Sequence, residues 1–461
     1  MKAKPDDSFD GVRVHVIGLG SYGTGRAIAR ALWSRGARVT VSDIKPAGEL
    51  AAEIERLGDT DVTILTGGGA YRGIEEAELV VPSPGVPLDI PPLLRAREHG
   101  AKIVSDIEIA FLIAPCPILA ITGTKGKTTV TALLGELLND VGKHALVGGN
   151  IGIPLVQLAE VALPDGLLVA EVSSFQLEAI EVFRPWVAVL LNLFADHLDR
   201  HESMAAYREA KARIFANQEV GDTAIFNRDD PGAWEMRAFI RSRAVPFSTR
   251  QAEPAGADIA DGWLRVQGQP VCPVSAVRLR GRHNLGNALA ALTAAKAAGA
   301  SLERAAETLS RFAGVEHRLE TVGLVRGVLF VNDSQATTPP ATVAALESFE
   351  EHVILIAGGR SKVDGFSALA QTAALRGASL VLIGEAAEVI AKAAQAAGVR
   401  HIARAAALPE AVKVAYSQAK PGDVVLLSPA CASFDMFKDM AERGRIFKEA
   451  VKALLEQEGE Q

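Results

Sequence analysis

The chemistry of this chain starts at Gly123-Thr124-Lys125-Gly126-Lys127-Thr128-Thr129, directly after the apolar run Ile118-Leu119-Ala120-Ile121. A strand that runs through a glycine-rich turn into a helix aims several backbone N–H groups, and the positive end of the helix dipole, at one point. Such a point suits a polyphosphate. Lys127 can reach the outer phosphates as a mobile charge, and the Thr128 hydroxyl can ligate Mg²⁺. Val130, Leu133, Leu134, Leu137 and Leu138 recur at helical spacing, so the expected helix is amphipathic. A longer phosphate loop would carry glycine at position 121, where this chain has Ile121, so the loop is a shortened form. The plain alternative is a turn followed by a helix cap.

Other reactive side chains follow apolar runs. Glu171 ends Leu167-Leu168-Val169-Ala170, where α/β folds place their ligands, and could share Mg²⁺ with Thr128. It could also be a helix cap or a surface acid. In Asn192-Leu193-Phe194-Ala195-Asp196-His197-Leu198-Asp199, neutral His197 could bind a metal while Asp196 or Asp199 orients its other ring nitrogen. It could equally be a loop residue. Lys211 lies in an apolar stripe with Met204, Tyr207, Ile214 and Phe215 on a helix expected over 204–217. Its ammonium could snorkel to water. The sharper reading is a desolvated amine that takes up CO₂ as a carbamate, a carboxylate in its chemical behaviour. His283-Asn284-Leu285-Gly286-Asn287 precedes an Ala-rich helix, which its amides could cap, or they could bond an adenine. Asp333, in Asn332-Asp333-Ser334-Gln335, could pair ribose hydroxyls, and Arg360 and Lys362 offer cations for a carboxylate substrate; each could also be a turn or cap residue.

Three segments must position these groups. The first opens with a strand near 12–17, then Gly18-Leu19-Gly20-Ser21-Tyr22-Gly23, a helix, and a second strand ending at Asp43. This is a dinucleotide-fold fingerprint with an acid about twenty residues beyond the glycines. Pro115 and Pro117 mark a boundary near 114. The second segment carries the phosphate loop and buried strands to about 315, with an irregular or antiparallel excursion over 251–273. The third has strands near 328, 353, 380 and 424 with amphipathic helices between them. The expected fold is α/β with three domains, 1–114, 115–315 and 316–461: a Rossmann-like first domain, a central P-loop ATPase-type domain and a Rossmann-like third.

Composition excludes several classes. A hydrophobic fraction of 49% and a charged fraction of 22% describe a chain with ample core. The formal net charge of -7 speaks against a general nucleic-acid binder. Cys116, Cys272 and Cys431 are too few and scattered for a disulfide framework or zinc site and fit a reducing cytoplasm. The polar opening is no signal peptide, and the apolar stretch 187–194 is too short to cross a bilayer. A soluble, cytoplasmic protein is expected.

Taken in order, the short phosphate loop, the run from Glu171 to Glu178, the Asp196-His197 loop, His283-Asn284 with Asn287, His317-Arg318 and Ser428-Pro-Ala-Cys-Ala-Ser433 resemble the Mur ligase family of peptidoglycan precursor synthesis. The resemblance runs from Gly18 to about Arg443. It implies an ATP-dependent, ADP-forming amide ligase that adds glutamate, in the D form, to UDP-N-acetylmuramoyl-L-alanine through an acyl phosphate. The alternative within the family is a ligase using L-glutamate or another amino acid. By the same resemblance the nucleotide site comprises Gly123, Thr124, Lys125, Gly126, Lys127, Thr128, Thr129, Asn284, Asn287, Arg318 and Asp333. The UDP-sugar would be held by Gly18, Gly20, Ser21, Tyr22, Gly23, Asp43, Ser83, Asn150 and His197, so the first domain binds UDP, not NAD. Thr337, Lys362, Ser433 and Phe434 would line the amino-acid pocket. Lys127, Glu171, His197 and Lys211 would be catalytic. One Mg²⁺ would lie at Thr128 and Glu171, and a second at His197 and the carbamate of Lys211. Small-molecule substrates, a monomer, no nucleic acid and no membrane follow, with domain closure about joints near 114 and 315.

One departure stands out. The family's usual lysine after Asn-Asp-Ser is Gln335 here, so a cation is missing near the incoming amino acid, for which Arg360 could compensate. Among rivals, an NAD-dependent dehydrogenase leaves Lys127, Glu171 and Lys211 without a role. A regulatory ATP-binding protein would release no phosphate. The folate-extending relative lacks a reason for the UDP fingerprint, and no Asp-Asn-Pro-Arg motif marks a diaminopimelate- or lysine-adding enzyme.

Overall fold

The computed structural model describes residues 9–19, 23–194, 198–279, 281–361 and 365–459. The chain divides into two compact units, Met1–Phe312 and Ala313–Gln461. The first unit holds two sheets and the second holds one.

The first sheet comprises β1 (Arg13–Ile17), β2 (Arg38–Asp43), β3 (Thr63–Thr66), β4 (Leu79–Pro82) and β5 (Lys102–Ile103), all parallel, in the order β3-β2-β1-β4-β5. Strand order reverses between β1 and β4, and ligands of open α/β sheets bind at such a crevice, outside the carboxyl ends. The helix Thr24–Trp33 buries Ala27, Ile28, Ala31 and Leu32 against this sheet.

The second sheet contains β6 (Ile118–Thr122), β7 (Ala145–Gly149), β8 (Leu167–Glu171), β9 (Val187–Leu190), β10 (Thr223–Asn227), β11 (Arg243–Phe247), β12 (Ala257–Ala260), β13 (Trp263–Val266) and β14 (Gln269–Pro273). Their order is β14-β13-β12-β11-β10-β9-β6-β8-β7. The strands β6 to β11 are parallel, and β6, β8 and β9 are buried on both faces, which is why they read as unbroken apolar runs. The excursion over 251–273 supplies β12, β13 and β14, whose mutual pairings are antiparallel.

The second unit has β15 (Glu320–Val325), β16 (Val328–Asn332), β17 (Val353–Gly358), β18 (Ser379–Ile383), β19 (Ile402–Arg404) and β20 (Val424–Leu427), ordered β15-β16-β20-β17-β18-β19. Sequence reading misses two of them. The edge strand β15 is exposed or half-buried at every residue but Val325, and its hairpin to β16 turns on Arg326 and Gly327, both at positive φ (45° and 83°). The other, β19, is a three-residue edge strand.

Two expectations need correction. The α-helix expected over 204–217 ends at Ala212, and a 3₁₀ turn, Arg213–Phe215, continues the buried stripe. The helix after Gly281 starts at Arg282, so His283 to Asn287 lie inside it; Gly281 holds the N-cap position, and Asn284 and Asn287 are not caps. Their polarity disguised the first turn, whose burial begins only at Asn287. Among the described residues, no helix is long and apolar enough to cross a membrane.

Candidate active site

The carboxyl ends of β9, β6, β8 and β7, four neighbours in one sheet, gather most of the residues expected to act on a nucleotide. The turn after β6 leads into the helix Lys127–Asn139, whose first N–H groups, those of Lys127, Thr128 and Thr129, have no partner within the helix. Gly126 caps this helix in the left-handed region (φ 85°), and a Cβ there would stand 2.5 Å from Asn287 Oδ1. Glycine is required on both counts, and its absence of a side chain lets Asn287 lie against the loop. Asn284 accepts a hydrogen bond from Asn287 Nδ2 at 3.0 Å.

Asn192, just beyond β9, clamps this turn. Its Oδ1 accepts from Lys125 N at 2.8 Å, its Nδ2 donates to Lys125 O at 3.0 Å, and its carbonyl accepts from Thr124 N at 3.0 Å. Lys127 Nζ donates to the loop's own carbonyls at Gly123 (3.0 Å) and Thr124 (3.1 Å). The ammonium is therefore folded back over the loop.

Glu171 ends β8 and is 2% exposed. Its Oε2 accepts from Thr128 Oγ1 at 2.7 Å and its Oε1 from Asn150 Nδ2 at 2.8 Å. The reading of Glu171 as a cap or surface acid fails: the helix Ser174–Glu178 is capped by Ser173, in a reciprocal box with Gln176. A buried carboxylate whose side-chain hydrogen bonds here come from a hydroxyl and an amide is a hard oxygen donor set, and so fits Mg²⁺. No three His, Cys, Asp or Glu side chains gather into a metal site among the described residues. Magnesium commonly takes one or two carboxylates and fills its remaining positions with water and phosphate oxygens, so a sparse protein set is what it needs.

Lys211 is 2% exposed, donates to Thr122 Oγ1 at 3.2 Å and lies 4.9 Å from the Tyr207 ring centroid. Its amine does not snorkel. Tyr207, which sequence reading saw only as part of the apolar stripe, hydrogen-bonds Thr124 Oγ1 through its hydroxyl (3.1 Å) and so joins the helix of Lys211 to the phosphate loop. His197 and Asp196 lie outside the described residues, as do Gly20, Ser21, Tyr22 and Lys362.

At the first sheet's crevice, Gly18 follows β1 and Ser83 follows β4, with Ser83 Oγ donating to Gly18 O at 3.2 Å. Asp43 accepts from Leu19 N and Lys45 N, both at 3.0 Å, and so fixes the turn. Gly23 precedes the helix at φ 75°. The close helix–strand approach belongs to Gly25, which sequence reading overlooked: a Cβ there would fall 1.9 Å from Gly18 O.

In the second unit, Asp333 follows β16. Its carboxylate accepts from Ser428 Oγ (2.8 Å) and Leu319 N (3.2 Å), and burial pushes its carboxyl up to about 6, against the pull of those bonds and of Arg318. Arg318 is exposed, Thr337 half-buried, Ser433 buried and Phe434 60% exposed. Arg360 is engaged by Glu385, at 2.9 and 3.1 Å, so the expected compensation would have to break that pair.

Residues 12–105 match the family model of the Mur ligase MurD-like N-terminal domain, 121–295 the Mur ligase middle domain, and 317–431 the Mur ligase glutamate ligase domain. The chain is similar to the UDP-N-acetylmuramoylalanine–D-glutamate ligase of Pelotomaculum thermopropionicum, 45% identical over 96% of this chain and 99% of that one. It is also similar to the ligase of the same name from Geotalea daltonii, 44% identical over 96% and 98%. Its fold resembles the crystal structure of UDP-N-acetylmuramate-alanine ligase MurC from Thermotoga maritima, with a TM-score of 0.56 and 21% identity over 96% of this chain and 99% of that one. With three consecutive domain models and full-length relatives at this identity, the chain belongs to the Mur ligase family.

Proposed function

We propose that this chain is the ATP-dependent ligase that joins D-glutamate to UDP-N-acetylmuramoyl-L-alanine in peptidoglycan precursor synthesis, working as a cytoplasmic monomer. The observation that carries the chemistry is the buried Thr128–Glu171 pair, joined by the exposed Asn150, beside a glycine-rich loop and a poised lysine. The identity of the substrates follows from the relatives' name.

Lys127 exchanges the loop carbonyls for phosphate oxygens, and the first N–H groups of its helix point at the same anion. Thr128 and Glu171 would hold one Mg²⁺; His197 and Lys211, the latter as its carbamate, would hold a second. Bound Mg²⁺ offsets the charge that builds on the transferred phosphoryl group. The alanyl carboxylate oxygen attacks the γ-phosphorus in line, the bond to ADP breaks, and an acyl phosphate forms. The glutamate amine then attacks the acyl carbon, phosphate leaves with one oxygen of the original carboxylate, and the nitrogen loses a proton. Asn284, Asn287, Arg318 and Asp333 position the nucleotide. The turn from Gly18 to Gly23, with Asp43, Ser83 and Asn150, grips the UDP-sugar; Thr337, Lys362, Ser433 and Phe434 receive the amino acid. Three modules bounded near 114 and 315 would close to exclude water from the acyl phosphate.

The test is phosphate release with UDP-N-acetylmuramoyl-L-alanine, ATP and each glutamate enantiomer in turn. Release that needs all three components and prefers the D form is expected. Release that is independent of glutamate, or favours L-glutamate, counts against the reading.

A further inference from the structure

Left-handed backbone is uncommon outside glycine, and under a bulky side chain it marks either a turn that demands it or strain. Asp261, Gln267 and Arg326 have the first excuse. Each precedes a glycine, itself at positive φ, in a two-residue hairpin turn, where strand twist calls for this conformation. His317 (φ 65°), Leu319 (φ 43°) and Ala430 (φ 61°) have no hairpin to explain them. They come from two separate loops and gather around one side chain, Asp333. Leu319 N donates to Asp333 Oδ1 at 3.2 Å. Ser428, two residues before Ala430, donates from Oγ to Asp333 Oδ2 at 2.8 Å. Ala430 N donates to Ala336 O (2.9 Å), and His317 is bonded on both sides of Asp333: its Nδ1 accepts from Asn332 Nδ2 (2.9 Å) and its carbonyl from Gln335 N (3.0 Å).

Packing does not account for Leu319. Its side chain is 39% exposed, so burial offsets little of what the conformation costs. The backbone before it is held in place, His317 N by Glu320 Oε2 (2.9 Å) and Arg318 N by Val315 O (3.1 Å). What the turn achieves is local: it aims the Leu319 N–H at one carboxylate oxygen of Asp333 while Ser428 holds the other. A donor on each oxygen fixes the rotation of the carboxylate and leaves each oxygen a further lone pair to offer. Strained backbone of this kind persists where the surroundings over-determine it, and it clusters at ligand sites.

We infer that Leu319 is a positioning residue for the nucleotide: its left-handed backbone directs an N–H onto Asp333 and holds that carboxylate in the orientation that receives the ribose hydroxyls. This role rests on the ligase reading, and on Asp333 as a nucleotide residue within it. It makes backbone conformation, not the leucine side chain, the source of the orientation. A carboxylate already fixed in the free protein spares the nucleotide the cost of ordering it on binding.

The experiment compares phosphate release by wild type, Leu319→Gly, Leu319→Asn and Leu319→Val, with KM measured separately for ATP, D-glutamate and the UDP-sugar, and thermal melting on the same samples. Glycine and asparagine accept left-handed backbone and lack the leucine side chain; valine stays apolar but, branched at Cβ, resists that conformation. KM for ATP is expected to stay within about twofold of wild type in the first two and to rise about tenfold in Leu319→Val, the size of one lost hydrogen bond to a charged group. KM for the UDP-sugar and kcat should hold within about twofold throughout. Burial pushes the Asp333 carboxyl up to about 6 against the pull of Ser428, Leu319 and Arg318, so weakening the Leu319 bond should start the rise in KM for ATP at a higher pH in Leu319→Val. Should Leu319→Val not fold, Leu319→Ala replaces it, with an expected rise of about threefold. The opposite ranking, Gly and Asn variants impaired and Val not, overturns the inference, because it assigns the role to the side chain. So do Gly and Asn variants as impaired as Val, or equal rises in all three KM values. A wild type without glutamate-dependent release overturns the ligase reading itself; a working wild type whose variants do not respond overturns only the role of Leu319.

Discussion

Glu171→Gln separates the fold from the chemistry more cleanly than any other single change. The wild-type carboxylate accepts two side-chain hydrogen bonds, from Thr128 at 2.7 Å and Asn150 at 2.8 Å. Glutamine keeps an oxygen for Asn150 and turns an N–H toward Thr128, whose hydroxyl rotates to accept it. Two bonds stand before and two after. The loss is then the difference between carboxylate and amide acceptors, about 1 kcal/mol per bond. Against it stands the relief of no longer keeping a carboxylate in a site 2% exposed. The melting temperature should move by no more than about 2–4 °C. Function should behave otherwise, because an amide is a far weaker magnesium ligand than a carboxylate. Loss of roughly 3–4 kcal/mol of transition-state stabilisation corresponds to a fall of about 10² to 10³ in kcat. The assay is phosphate release across a Mg²⁺ titration, with melting curves on the same samples. A fall of less than about tenfold at saturating Mg²⁺ would refute the reasoning. So would a fall that merely tracks the loss of folded protein.

Three further outcomes are expected. Lys211→Ala should abolish amide formation, and added short-chain carboxylates should restore part of it; unchanged activity in the variant removes the carbamate. For Asp333, whose carboxyl is pushed up to about 6, the form able to accept two ribose hydroxyls exists above that pH. KM for ATP should therefore rise as pH falls through about 6, and a flat profile from 5 to 8 would contradict the role. The same shift means that the folded chain holds a proton there which the unfolded chain releases between about 4 and 6, so this group's contribution to stability declines as pH rises through that window. Gly25→Ala would place a methyl 1.9 Å from Gly18 O, an overlap costing about 1–3 kcal/mol that outweighs the roughly 1 kcal/mol gained in helix propensity. KM for the UDP-sugar should rise while that for ATP holds.

Much of the fold was legible because its strands are buried on both faces. Runs such as 118–121, 167–170 and 187–190 announce themselves without alternation, and a glycine turn follows the first of them. The half-exposed β15 and the three-residue β19 carry no such signal and were missed. At the site, Thr128 and Glu171 were picked out by their places at the starts and ends of elements, and the fold puts them side by side. What stayed hidden depends on which strands are neighbours. The contact of Tyr207 with Thr124 spans 83 residues, that of Lys211 with Thr122 spans 89, and that of Arg443 with Ser334 spans 109. Periodicity along one chain fixes which face a residue lies on, not what stands opposite it. Gly25 was missed for a related reason: a helical glycine looks incidental until the carbonyl it must clear is in place.

Everything proposed for this chain requires the alanyl carboxylate to take the γ-phosphoryl group before the amide forms. The most direct test starts from UDP-N-acetylmuramoyl-L-alanine carrying ¹⁸O in both carboxylate oxygens, with ATP and D-glutamate, and analyses the released phosphate by mass. One ¹⁸O per phosphate is the expected result, since the oxygen that attacks phosphorus departs with it. Phosphate without label, formed alongside the dipeptide product, would contradict the account.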